Sequence, residues 1–171
     1  MFERIAGVFK LDVNTFEAVE HDQSATAQAA MIVAAAALLS ALGTGLAALI
    51  GGGSFLYSFF SNLVWTFIAW FLWSLVSFLV GTMLFGGQAT LDEMLRVIGF
   101  AHAPQLLAII PCIGGFIGAI WSLIAGFIAI RQGLDLDNVK AFLTVVVGFV
   151  IMAAGNLLIN AFLTGVSSIL S

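Results

Sequence analysis

The residues of this chain that are equipped for chemistry are few and mostly neutral. His102 and Gln105 flank Pro104 in an otherwise apolar stretch. Polar groups in such a setting bind a ligand, or they satisfy the carbonyl that a proline leaves without its donor, here that of Phe100. Ser58, Asn62 and Thr66 belong to a row that runs Ser54, Ser58, Asn62, Thr66, Trp70, Ser74, and Asn156 with Asn160 is a further i, i+4 pair. Rows of this spacing occupy one helix face, where they pack helices together or line a path for a small solute. Glu17, Glu20, His21 and Asp22 have the composition of a metal site, and Glu17 shares a helical face with His21. No second His or Cys is in reach, however, and solvated interfacial charges account for the group, so neither metal nor cofactor is expected. Cys112 is the only cysteine and stands beside Pro111. It lies about two turns from His102, too far for a nucleophile–base pair, and the sequence has no His-Glu-x-x-His helix, phosphate loop or nucleophile elbow. No catalytic residue is expected.

The elements that must carry these groups follow from composition. Hydrophobic residues make up 62% of the 171 and charged residues 8%, where a soluble domain carries roughly 25% charge. A soluble core cannot absorb that apolar surplus, which must face lipid. The net charge of −4 leaves no basic stripe to follow a phosphate backbone, so nucleic acid is not an expected partner.

All fourteen charged residues lie in three clusters, Glu3 to Asp22, Asp92 to Arg96 and Arg131 to Lys140. The intervals between them predict an all-α integral membrane bundle of about five transmembrane helices, given roughly 20 residues per span. The turn Gly51-Gly52-Gly53-Ser54 divides the first interval into spans at 28–50 and 55–85. Pro104 is expected to kink a span over 94–110, and Ile110-Pro111-Cys112-Ile113-Gly114-Gly115 reads as a hairpin to a span over 113–130. A last span covers 141–167. Residues 1–24 form a short amphipathic segment of one or two interfacial helices, and 25–171 form the membrane domain. Thr90 with Glu93 is a capping-box pair, and Asp135 and Asp137 are placed to cap the last helix. Gly114, Gly118, Ser122 and Gly126 give the 113–130 span a smooth packing face.

The small-residue site Ala25-Thr26-Ala27 precedes the first apolar run rather than following it, so the N-terminal segment reads as retained and not as a cleaved signal. An N-terminus on the cytoplasmic side places Arg4, Lys10, Arg96, Arg131 and Lys140 there together, as the distribution of basic residues around spans requires. The C-terminus then falls on the opposite side of the cell's inner (plasma) membrane.

Several of these features occur together in one known pattern. Gly86 and Gly87 precede Leu95 and Arg96, then Gly99, Phe100, Ala101 and Pro104, the hairpin Ile110 to Gly114, Trp121 with Gly126, and the turn at Lys140-Ala141. The stretch resembles the Yip family, the Ypt/Rab-interacting membrane proteins, in its bacterial form. The resemblance implies five spans with a cytoplasmic N-terminus, and in eukaryotic members a part in vesicle traffic, small-GTPase binding and membrane curvature. The N-terminal motifs associated with GTPase binding have no counterpart here, so the resemblance does not carry that partner over. The expected function is that of a non-enzymatic scaffold, accessory subunit or membrane-organising or trafficking factor. Its partners are membrane lipids and other membrane proteins, or itself as an oligomer. The alternative is a small oligomeric transporter or channel.

Overall fold

The computed structural model describes residues 1–110 and 113–170, without the side chains of 159, 160 and 162–170. Among the described residues there are seven α-helices and no strand: α1 (Phe2–Phe9), α2 (Val13–His21), α3 (Ala25–Ile50), α4 (Phe55–Phe85), α5 (Leu91–Ala101), α6 (Gly114–Gly133) and α7 (Asn138–Leu170). A 3-10 segment, Ala103–Ile109, follows α5. Four helices, α3, α4, α6 and α7, are long and apolar enough to cross a bilayer. The chain is thus an all-helical, multi-pass membrane protein. The segment expected as a span over 94–110 kinked at Pro104 consists of the 11 residues of α5 and the 7 of the 3-10 segment, the break falling just before the proline.

Helix limits follow local chemistry. Ser54 caps α4 by accepting from the Tyr57 amide at 3.4 Å. At its other end Gly86 adopts φ 72°, and the Gly87 N–H returns to the Gly81 carbonyl at 2.9 Å, a glycine-terminated helix end. Gly87 and Gly81 have a packing reason as well: Leu134, fully buried, sits where a Cβ on either would be. Thr90 and Glu93 form the full capping box on α5. Asp137 accepts from the amides of Val139 and Lys140 and so caps α7. Asp135 does not share that task, being held at φ 52° in the turn.

Antiparallel register sets the shape of the bundle. Gly45 of α3 faces Phe55 of α4, and Ala29 meets Gly99 of α5 beside Trp70. The last dozen or so residues of α4 therefore run past the start of α3, by roughly 16 Å at 1.5 Å per residue. That overhang carries the buried Ser77, Val80 and Gly81, whereas Leu56, Tyr57, Phe60, Val64 and Trp65 at the other end of α4 are exposed. One end of the molecule is thus a dense layer that holds the charged residues. The other is drawn out into the α3–α4 hairpin and α7.

The N-terminal helices belong to the dense layer. Val8, Phe16 and Val19 are fully buried against α5 and α6, and Trp121 donates to the Phe9 carbonyl at 3.0 Å. The amphipathic pattern therefore serves a protein surface more than a lipid one, although Phe2 remains 84% exposed. Arg4 pairs with Asp22 at 2.6 Å. Hydrogen bonds from Ser24 and the Arg4 guanidinium hold the Asp22 carboxyl down at about 2.

Arg96 joins these parts. It is 3% exposed, and its Nε and Nη2 donate to the Glu20 carbonyl at the end of α2 at 3.2 and 2.7 Å. Its Nη1 donates to Thr26 in the first turn of α3 and to Asp92 one turn back on α5. A cation at the C-terminal end of α2 also meets the negative end of that helix's dipole.

The Glu20 side chain, 5% exposed, is raised to about 7. Burial is the main cause; Asp135, Glu93 and Glu17 add to it and His21 opposes it. A carboxyl raised in the folded state binds its proton more tightly there than in the unfolded chain. Its contribution therefore weakens as pH rises from about 4.5 to about 7 and stays lost above. Glu20→Gln, which mimics the protonated form, is expected to leave the thermal midpoint in detergent unchanged at pH 4.5 and raise it at pH 8. Parallel pH profiles for parent and variant would contradict this reading of the α2 contact.

Candidate functional site

The site grows from the place where α5 ends. The His102 N–H, one residue beyond the helix, turns to the Gly99 carbonyl at 3.2 Å, and the Gln105 N–H bonds the His102 carbonyl at 2.9 Å. Both bonds span three residues and wind the chain into the 3-10 segment that opens with Pro104. Tightening deprives the Ile98 carbonyl of its usual donor four residues on. The His102 ring fills the gap, with Nδ1 2.8 Å from that oxygen. The ring thus repairs a carbonyl, as expected, but that of Ile98 and not Phe100. Because a carbonyl only accepts, Nδ1 carries the proton, and the neutral ring presents Nε2 as an acceptor. Nε2 has no partner among the described residues.

Beside this ring lies a cavity of about 240 Å³ between α4, α5, the 3-10 segment and α6. His102, Gln105 and Ser122 supply its polar groups, and Trp73, Ile98 and Leu123 its apolar walls. The Ser122 Oγ is buried and has no partner. Trp73 is fixed from behind by the Phe149 ring of α7, centroid to centroid 4.8 Å. A second, narrower cavity of about 80 Å³ shares Trp73, Ser122, Leu123 and Gly126 and continues between α6 and α7 to Phe127, Ile130 and Val145.

The row Gly114, Gly118, Ser122, Gly126 is divided by this arrangement. Gly114 and Gly118 are buried against the 3-10 segment: a Cβ on Gly114 would run into the Leu107 carbonyl, and one on Gly118 would lie 2.6 Å from the Pro104 carbonyl. Ser122 and Gly126 line the cavity, and a Cβ on Gly126 meets nothing within 4 Å.

The row on α4 is not brought to the same place. Ser58, Asn62 and Thr66 are half-buried; Thr66 donates to the Asn62 carbonyl at 2.9 Å, and Asn62 Oδ1 is buried without a partner. Trp70 from that row donates to the Leu95 carbonyl at 3.1 Å and ties α4 to α5. Asn156 is on an exposed part of α7 beside Phe149 and Met152. The Asn160 side chain, Pro111 and Cys112 lie outside the described residues. Among the described residues no three His, Cys, Asp or Glu side chains gather as metal ligands. Glu17 and His21 are exposed, Glu20 turns inward, and Asp22 is taken up by Arg4.

Sequence reasoning missed Trp73 and Arg96. For Arg96 a signal existed in Asp92 four residues earlier, the spacing of an ion pair that can travel inward together. For Trp73 there was none, because it stands outside the polar row of α4 and has no charged residue near it in sequence.

The contrast between two glycines tests the packing. Gly118→Ala forces the backbone of the 3-10 segment away and is expected to cost about 2 kcal/mol. Gly126→Ala, with open space before it, should be neutral or mildly stabilising through helix propensity. Thermal unfolding of both variants in mild detergent measures the difference, and equal midpoints would show that the 3-10 segment does not rest on Gly118.

Residues 7–160 match the Yip1 domain. No curated protein and no solved structure matches the chain. The matched stretch begins within α1 and runs through the Gly86-Gly87 linker, the capped α5, Pro104 and the cavity into α7. A membrane bundle with these parts in this order, matched over nearly its whole length, belongs to the Yip1-domain family of integral membrane proteins.

Proposed function

We propose that this protein is a non-enzymatic scaffold, accessory or membrane-organising factor that works by lateral association with lipids and with other membrane proteins or a second copy of itself. The observation that carries the reading is the division of its surface. Leu38, Leu42, Leu46 and Leu49 on α3, and Leu56, Phe60, Trp65 and Ile68 on α4, stand outward, while the charged residues collect at one end. Association in lipid draws on such contact faces and on close packing rather than on hydrophobic transfer. The polar groups of the cavity do not form a nucleophile–base pair among the described residues: His102 Nδ1 is spent on Ile98, and Ser122 Oγ has no partner. In this reading the N-terminus and the charged end are cytoplasmic, in the inner (plasma) membrane, and the far end of α7 lies across it.

Two measurements test the proposal. Reporter domains fused after Ser171 and inserted at Gln132 are expected to score on opposite sides; scoring on the same side would overturn the assigned topology. Liposomes that contain only this protein are expected to show no saturable solute flux, with a defined membrane partner or an oligomer recovered after mild solubilisation. A substrate-dependent flux that is lost in Asn62→Leu/Asn156→Leu would establish the transporter reading in its place.

A further inference from the structure

The geometry points to the cavity beside His102 as a binding site for an uncharged lipid that carries a free hydroxyl group. Three observations combine. First, the polar groups are incomplete without a guest: Nε2 of His102 can only accept, Ser122 Oγ is buried with no partner, and the Gln105 side-chain amide makes no hydrogen bond within the described residues. A hydroxyl is the smallest group that both donates to Nε2 and accepts from an amide or serine. An ester or ether has no proton to donate and leaves Nε2 unsatisfied.

Second, no charged side chain lines the cavity, so neither a phosphate nor an ammonium would find a counter-charge there. Third, the space continues in the right chemistry. The narrower cavity past Gly126 is walled by Phe127, Ile130, Val145 and Phe149, suited to hydrocarbon. It runs towards the charged end of the bundle, whereas the polar chamber lies deeper. A phospholipid has the reverse order, with its polar group outermost, and does not fit. An alcohol with a single buried hydroxyl has no headgroup to hold it at the surface. Access is from the lipid side, since Ala119 and Leu123 at the cavity rim are both exposed.

The test uses the full chain in phosphatidylcholine nanodiscs and three photoreactive probes: a diazirine-bearing long-chain alcohol, its methyl ether, and a diazirine-bearing phosphatidylcholine. The alcohol is expected to label residues 119–126 of α6 saturably, the ether about tenfold more weakly for want of its hydrogen bond, and the phospholipid without saturation. Gly126→Leu, at a position where a Cβ meets nothing within 4 Å, should place its side chain in the cavity and abolish the saturable labelling, while thermal unfolding stays near that of the parent. If that variant does not fold, Ser122→Ala decides, because it removes a hydroxyl with no partner and should still weaken labelling. Equal labelling by alcohol and ether, or saturable labelling undiminished in Gly126→Leu or in a folded Ser122→Ala, would overturn the assignment.

Discussion

The guanidinium of Arg96 has nowhere to place its charge except on groups that three different helices bring to it. Exposed to 3%, it is stable only while the Glu20 carbonyl, Thr26 and Asp92 surround it. Removing a partner from a buried charge commonly costs about 3–5 kcal/mol, more than a typical apolar contact. The docking of α2, the position at which α3 starts and the rotation of α5 about its own axis are therefore fixed together. That rotation decides what the rest of α5 does. With Arg96 turned to α2 and α3, Gly99 falls against Ala29 and Trp70, and Ile98 and His102 face the cavity.

From there the order of events along the chain is mechanical. The helix tightens at Gly99, His102 mends the carbonyl left open, and the 3-10 segment with Pro104 rests on Gly114 and Gly118. The cavity lies one turn further on, where the small residues of α6 face open space. A packing face and a hollow thus come from the same four-residue spacing, and the difference lies in what stands opposite. The neutrality of the hollow is set by the same charge placement, since the ionisable residues of α5 are all consumed at its first two turns by the capping box and the Arg96 contacts.

The all-helical, multi-pass character was legible because charge is excluded from lipid, and fourteen charged residues in three clusters leave long apolar intervals between them. Caps and turns were legible for a similarly local reason: Ser54, Gly86, Thr90 with Glu93, and Asp137 act within three or four residues of themselves. The division of α5 from the 3-10 segment was not. Pro104 announces a disturbance, but where it falls depends on His102 bonding Ile98, and the sequence allows that ring several carbonyls. Docking of α1 and α2 was hidden by a true ambiguity, since Phe9, Phe16 and Val19 suit a lipid interface as well as a protein groove. Half of the cavity could be read as polar residues near a proline and half as a row on α6. Their meeting is a tertiary fact.

The hydrogen bonds that hold the N-terminal helices have a consequence in time. Phe9 is bonded by Trp121, 112 residues later, and Glu20 by Arg96, 76 residues later. During synthesis α1 and α2 are made before α5 and α6, yet the surface that receives them does not exist until those later helices are in place. Contacts so distant in sequence form late, because the loop they close must be ordered before they reward it. Until then Val8, Phe16 and Val19 have only membrane or chaperone to cover them, and their docking marks the moment at which the bundle behind them is complete.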